Sequence, residues 1–174
     1  VRLFHFSENP DITLFVPHVP KTNPGQPPLV WAIDEEHAPH YYFPRDCPRI
    51  AFWTTPNTTP GDRDSFFAHT SARRIIAIES DWLNRVRDTR LYVYHLPGET
   101  FECVDANAGY YASSQSITPL AVEPVGDLLE RLVEAKVELR ITPSLWKLRH
   151  ALISSSVAFS MIRMGNASPD LVSD

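Results

Sequence analysis

Leu29 to Arg49 reads LVWAIDEEHAPHYYFPRDCPR, and the way this stretch divides sets the kind of fold the rest of the chain can join. Leu29 to Ile33 is a five-residue apolar run bounded by Pro28 and by the acidic triplet Asp34-Glu35-Glu36. Its length and composition suit a buried strand rather than a helix. Pro28 can precede such a strand because its missing N–H lies outside the ladder. Asp34 is a good helix N-cap, and Glu35 and Glu36 suit the positive end of a first turn. Pro39 is tolerated only in a first turn, so the helix is expected to begin near His37. Pro44 and Pro48 then confine it to about two turns. Two histidines, two tyrosines and an arginine fall between His37 and Arg45, a concentration of groups able to stack, bind or move protons.

Outward from this block the chain reads as short strands and short helices. Arg2 to Phe6 alternates Leu3/His5 against Phe4/Phe6 and predicts a first strand. Ile12 to Phe15 predicts an edge strand or a helical turn, and residues 16–28, with five prolines, a loop. Strands are expected at Arg49–Thr54, Arg73–Glu79, Arg90–Leu96, Thr100–Val104, Tyr110–Ser113, Leu120–Glu123 and Val137–Ile141. Pro97-Gly98 predicts a hairpin between the third and fourth of these. Thr55 to Asp64 is expected to be a mobile polar loop. Helices are expected from Ser80 to about Val86, from Val125 to Ala135, and from a Thr142 cap with Pro143 first in the helix. A β-type run, Ser156 to Met164, closes the chain. The whole predicts one α+β domain over residues 1–164 and a frayed tail over 165–174.

The composition narrows the function classes. At 174 residues the chain can bury a substantial core, and 43% apolar with 21% charged residues argues against disorder. Sixteen prolines against six glycines favour fixed turns over long helices. A net charge of −5 gives no global reason to bind nucleic acid. No run of eighteen apolar residues exists, so no membrane span is expected. VRLFHFSENP lacks the zones of a signal peptide. Cys47 and Cys103 make neither a disulfide framework nor a zinc pattern. Together these predict a cytoplasmic protein with two reduced, partly buried thiols.

The chemical motifs are sparse. His37-x-x-His40 invites a metal reading, but Pro39 intervenes and spacing places no third ligand, so no metal is expected. No glycine-flanked serine, Gly-rich phosphate loop or paired-carboxylate signature stands out. Arg45 and Arg49 flank Cys47 and would lower its pKa, although the same arrangement suits an ordinary loop.

Two resemblances bear on function. LFHFSE, VWAIDEEHAPHYYFPRDCPR and LWKLRHAL together resemble a family of small uncharacterised microbial domains. Three shorter segments resemble the ADP-ribosyltransferase superfamily: His5-Phe6-Ser7 at the end of the first strand, Trp31-Ala32 followed nine residues later by Tyr41, and Tyr110-Tyr111-Ala112-Ser113. That resemblance implies a split, mostly antiparallel sheet around an NAD cleft. It implies that His5 holds the adenine-side ribose and that Tyr41 stacks on nicotinamide. Phe6 stands where the family has a glycine, and Ala108-Gly109 stands where it often has a glutamate. Related phosphotransferases that use NAD to remove a 2′-phosphate also lack that glutamate.

The reading that follows is a nucleotide-binding cleft for NAD, with an ADP-ribosyl-transferring or NAD-dependent phosphotransferase-like enzyme as its catalytic form. His5, Tyr41, Arg45 and His37 are its candidate catalytic groups. His5, Ser7, Trp31, Tyr41 and Tyr111 are its candidate cofactor contacts. The alternative is a non-catalytic ligand-binding or protein-interaction domain.

Overall fold

The computed structural model describes residues 1–21 and 23–170. In chain order its strands are β1 (Leu3–Ser7), β2 (Val30–Asp34), β3 (Arg49–Trp53), β4 (Arg74–Glu79), β5 (Tyr92–Leu96), β6 (Glu102–Asp105), β7 (Tyr110–Ser113), β8 (Ala121–Pro124), β9 (Glu138–Thr142) and β10 (Ala158–Ile162). The helices are short: α1 (Pro60–Phe67), α2 (Leu83–Asp88), α3 (Leu128–Glu134) and α4 (Trp146–Ile153). The class is α+β. Among the described residues the strands pair antiparallel, except β4 with β9. The chain forms two compact units, one of Val1–Tyr42 with Arg90–Gly126, the other of Phe43–Thr89 and the chain from Asp127 onward.

The first unit is a six-stranded sheet in the order β6-β7-β2-β1-β5-β8. One face carries Leu3, Val30, Ala32, Tyr94 and Leu96, all buried, under Phe15 and Ile117. Those two covering residues form an isolated bridge, and no strand forms at Ile12–Phe15. The fully buried Tyr94 fastens the loop above the sheet. Its hydroxyl donates to the Asn9 carbonyl at 2.6 Å and accepts the Ile12 N–H at 3.1 Å. Each large side chain buried in this way contributes about 1.5–3 kcal/mol.

The second unit is a four-stranded sheet in the order β10-β3-β4-β9. Ile50, Phe52, Ile75 and Ala77 point to one face, where Leu145 and Leu152 complete a core with Phe66 and Phe67 packed against it. The intervening Ala51, Ile76 and Ile78 are also buried. This burial on both faces explains why RIAFW and RIIAIE read as unbroken apolar runs rather than alternating ones.

Several elements differ from the sequence expectation. Residues 60–67 are helical, because Thr59 caps Asp62 N–H and Pro60 occupies the first turn, where a proline costs nothing. The Pro97-Gly98 turn does not join a hairpin: both edges of β5 are taken by β1 and β8, and β6 pairs with β7. The third helix begins only at Leu128, since Gly126 sits at φ +88 and Asp127 is the cap. Thr142 remains in β9, and α4 starts at Trp146. Ser80 opens a 3-10 turn, Ser80–Trp82, ahead of α2 instead of capping it. The chain does not fray at Gly165: Ser168 N–H donates to the buried Glu79 at 2.8 Å, and Trp146 Nε1–H donates to the Ser168 carbonyl. Leu171–Asp174 of the expected tail lie outside the described residues.

One carboxylate ties α1 to β10's leading edge. Asp62 accepts both the N–H and the hydroxyl of Ser156, which holds its carboxyl below the usual range, with Thr59 adding to the effect. A group depressed in the folded state stabilises above its unfolded pKa and loses that contribution as pH falls through the folded value. Urea midpoints followed downward from pH 7 are therefore expected to fall more steeply below about pH 4 for the wild type than for Asp62→Asn.

Candidate functional site

The candidate site grows from the junction of β2 with the turn that follows it. Asp34 ends the strand, and its Oδ1 accepts the His37 N–H at 2.9 Å, an Asx-type closure that starts the next element. The element is a single 3-10 turn, Ala38–Tyr41, with Pro39 in its first positions. It is shorter than the two-turn helix expected, but its start and the placing of Pro39 follow the sequence logic. Asp34 Oδ1 also lies 2.7 Å from His37 Nδ1, on a ring that is 4% exposed. A carboxylate so placed holds the imidazole with its proton on Nδ1. The His40 ring meets His37 edge-on at 5.5 Å. Gly109 completes this corner: its carbonyl accepts the Asp34 N–H, and a Cβ there would come within 2.3 Å of His37 Nδ1.

The short turn delivers Tyr41 and Tyr42 onto the face of the first unit's sheet that bears Phe4 and Ile33. Tyr41 stacks on Phe6 with centroids 6.3 Å apart and planes 12° from parallel, while Tyr42 meets Phe6 edge-on at 5.6 Å. The Tyr41 hydroxyl donates to the Tyr110 hydroxyl at 3.1 Å. Tyr110 in turn meets Trp31 edge-on, centroids 6.4 Å apart. The result is a continuous aromatic layer of Phe6, Trp31, Tyr41, Tyr42 and Tyr110, each partly buried. Within it the Trp31 Nε1–H is buried with no hydrogen-bond partner. Such a donor costs about 1–3 kcal/mol when left unsatisfied.

His5 is not part of this layer. In β1 it projects with Leu3 and Ser7 to the opposite face, where its ring packs on Phe15 at 4.7 Å and its Nδ1 lies 3.2 Å from the Trp31 carbonyl. The expectation that His5 and Tyr41 line one pocket is corrected by the pleat, since neighbours along a strand face opposite ways. Ser7 shares the His5 face and accepts the Asn9 N–H, a turn closure. Tyr111 also faces that way, packed against the Leu3–Val30–Ala32 core. Arg45 belongs to the second unit, exposed in the turn closed by Cys47 N–H on the Pro44 carbonyl. Of the expected cofactor contacts, Trp31 and Tyr41 lie on the aromatic face, while His5, Ser7 and Tyr111 share the other.

Phe6, Tyr42, Tyr110 and Gly109 are not among the site residues that the sequence motifs single out. The signal for Phe6 was present in the alternation of LFHFS, which sets Phe6 opposite His5. Tyr110 follows from the β2–β7 register, which pairs it with Ile33, and no local pattern in the sequence gives that pairing.

With the geometry in view, comparison with known proteins becomes informative. The chain belongs to DUF6886, a family of unknown function, matched over residues 4–167. No curated protein and no solved structure matches it. This DUF6886 domain has no group of three or more His, Cys, Asp or Glu arranged for a metal ion among its described residues. None of the helices described is long and apolar enough to cross a membrane.

The thiols also differ from expectation. Cys47 is fully buried, and burial pushes its pKa up to about 12 against the opposing pull of Arg49 and Arg85. Arg49 is itself buried and donates to the Cys47 carbonyl at 2.8 Å. Cys103 is exposed on β6. A disulfide-exchange reagent is expected to titrate one thiol in the native protein at pH 8 and the second only after unfolding, with mass spectrometry placing the native label on Cys103. Gly109→Ala is expected to lower the melting temperature sharply, because φ +73 and the His37 contact penalise a Cβ together. A loss of several kcal/mol by urea titration is the expected scale.

Proposed function

We propose that the first unit is a small-molecule binding module whose aromatic layer takes a planar ring bearing a hydrogen-bond acceptor. The observation that carries this reading is the buried Trp31 Nε1–H with no partner, set among Phe6, Tyr41 and Tyr110. An amide or ring carbonyl of a ligand that enters between these rings, opening the contacts that now seal the indole nitrogen, would satisfy that donor and cover ring surface together. The nicotinamide end of NAD is a ring of this kind, which keeps Tyr41 in the stacking role that the superfamily resemblance implies and Trp31 among the cofactor contacts. The ribose-holding role of His5 is not carried into this reading, because His5 is on the other face of the sheet. Without it, and with Ala108-Gly109 where a glutamate would polarise the ribose, binding without turnover is the reading supported here.

Nitrogen-15 NMR of the tryptophan indole groups tests this directly. Millimolar nicotinamide and NAD are expected to move the Trp31 Nε1–H resonance. Trp31→Phe, which keeps a ring and removes the donor, is expected to weaken binding about two- to tenfold. His5→Ala is expected to lower the melting temperature and leave affinity unchanged. If no indole resonance moves at saturating ligand, the module is not a ring-binding one.

A further inference from the structure

The strands that carry the aromatic layer have a one-sided charge pattern. None of β1, β2, β5, β6, β7 and β8 contains a lysine or arginine. Their charged residues at neutral pH are Asp34, Glu102, Asp105 and Glu123. Arg2, just before β1, is engaged by Glu35.

Register fixes which of these carboxylates share the face of the rings. Glu102 pairs with Ala112, and Ala112 with Trp31, so the three form one row across the sheet. Side chains of directly opposed residues lie on the same face. Two strand spacings set the Glu102 and Trp31 backbones about 10 Å apart, with Ala112 as the residue between them. Glu102 is exposed. Glu123 reaches the same face through Val93 and meets His95 at 3.2 Å.

Aromatic faces are negative at their centres and attract cations, and a carboxylate at the rim adds to that attraction. A neutral ring gains the stacking area and the Trp31 hydrogen bond but not this term. We infer that the Phe6–Trp31–Tyr41–Tyr110 face selects a planar organic cation of pyridinium type over a neutral ring of the same shape, with Glu102 as the rim carboxylate. The inference rests on the ring-binding reading above and adds the charge of the ligand to it. It also implies that a phosphate-rich nucleotide binds less well than the free cationic ring, because its anionic groups meet a face whose strands carry no lysine or arginine and whose His95 is already met by Glu123.

The test uses two near-isosteric probes with the full chain. One is 1-methylnicotinamide, a cation; the other is 3-methylbenzamide, in which a carbon replaces the charged ring nitrogen. Both keep the amide acceptor for Trp31. Calorimetry at low ionic strength measures affinity, and the Trp31 indole resonance reports location. The cation is expected to bind roughly tenfold more tightly. Raising the salt to about 0.5 M is expected to shrink that ratio. Glu102→Gln, at an exposed edge position, is expected to reduce cation affinity roughly two- to threefold and leave 3-methylbenzamide unchanged. Equal affinities, or tighter binding of the neutral probe, overturn charge selection while the ring-binding reading stands. A cation preference unaltered in Glu102→Gln overturns the role given to Glu102. If neither probe moves the Trp31 resonance, the ring-binding reading itself fails.

Discussion

The pleat of β1 is the constraint on which the functional geometry of the first unit depends. Successive residues of a strand must face opposite ways, so Phe4 and Phe6 cannot share a side with His5. The neighbouring strands extend that choice across the sheet. Phe4 pairs with Ile33 and His95, and Ile33 with Tyr110, which carries the aromatic face over three further strands. His5 pairs with Tyr94 and stays with the hydrocarbon core on the reverse side. A one-residue slip of β1 would exchange the two faces and bury different chemistry on each.

The 3-10 turn after β2 makes the face more than a sheet surface. A longer helix would have carried Tyr41 and Tyr42 away from the strands within another turn. Pro39 and the Asp34–His37 closure instead hold the element to four residues, so both phenols return onto Phe6. Gly109 is needed at the same corner, because the imidazole of His37 occupies the space a side chain would fill. The buried indole donor of Trp31 then stands out beside the hydroxyls of Tyr41 and Tyr110, which are 3.1 Å apart and bond to each other.

The second unit shows the opposite economy of polar groups. Its buried charges are used to fasten chain segments. Glu79 accepts from Leu145 and Ser168, and Arg49 donates to the Cys47 carbonyl. Burial of Cys47 outweighs its two basic neighbours and keeps the thiol protonated, which fits a structural residue rather than a nucleophile. The Arg45–Cys47–Arg49 cluster, chemically suggestive in the sequence, is thus structural in its Cys47–Arg49 part.

Local patterns in the sequence determined the α+β class, the positions of β2, β4 and β7, and the proline-limited turn after Asp34. They could do so because periodicity, breakers and caps act over a few residues. Alternation within LFHFS also held the separation of His5 from Phe6. Tertiary structure alone decided that β5 is flanked by β1 and β8, that β6 turns to β7, and that Tyr110 meets Trp31. Apart from β6 and β7, which a four-residue turn joins, those partners lie far apart in the chain, and their choice depends on which edges remain open once the sheet assembles. The same holds for the orphaned indole donor: whether a buried N–H finds an acceptor depends on every group around it, and no stretch of sequence contains them all.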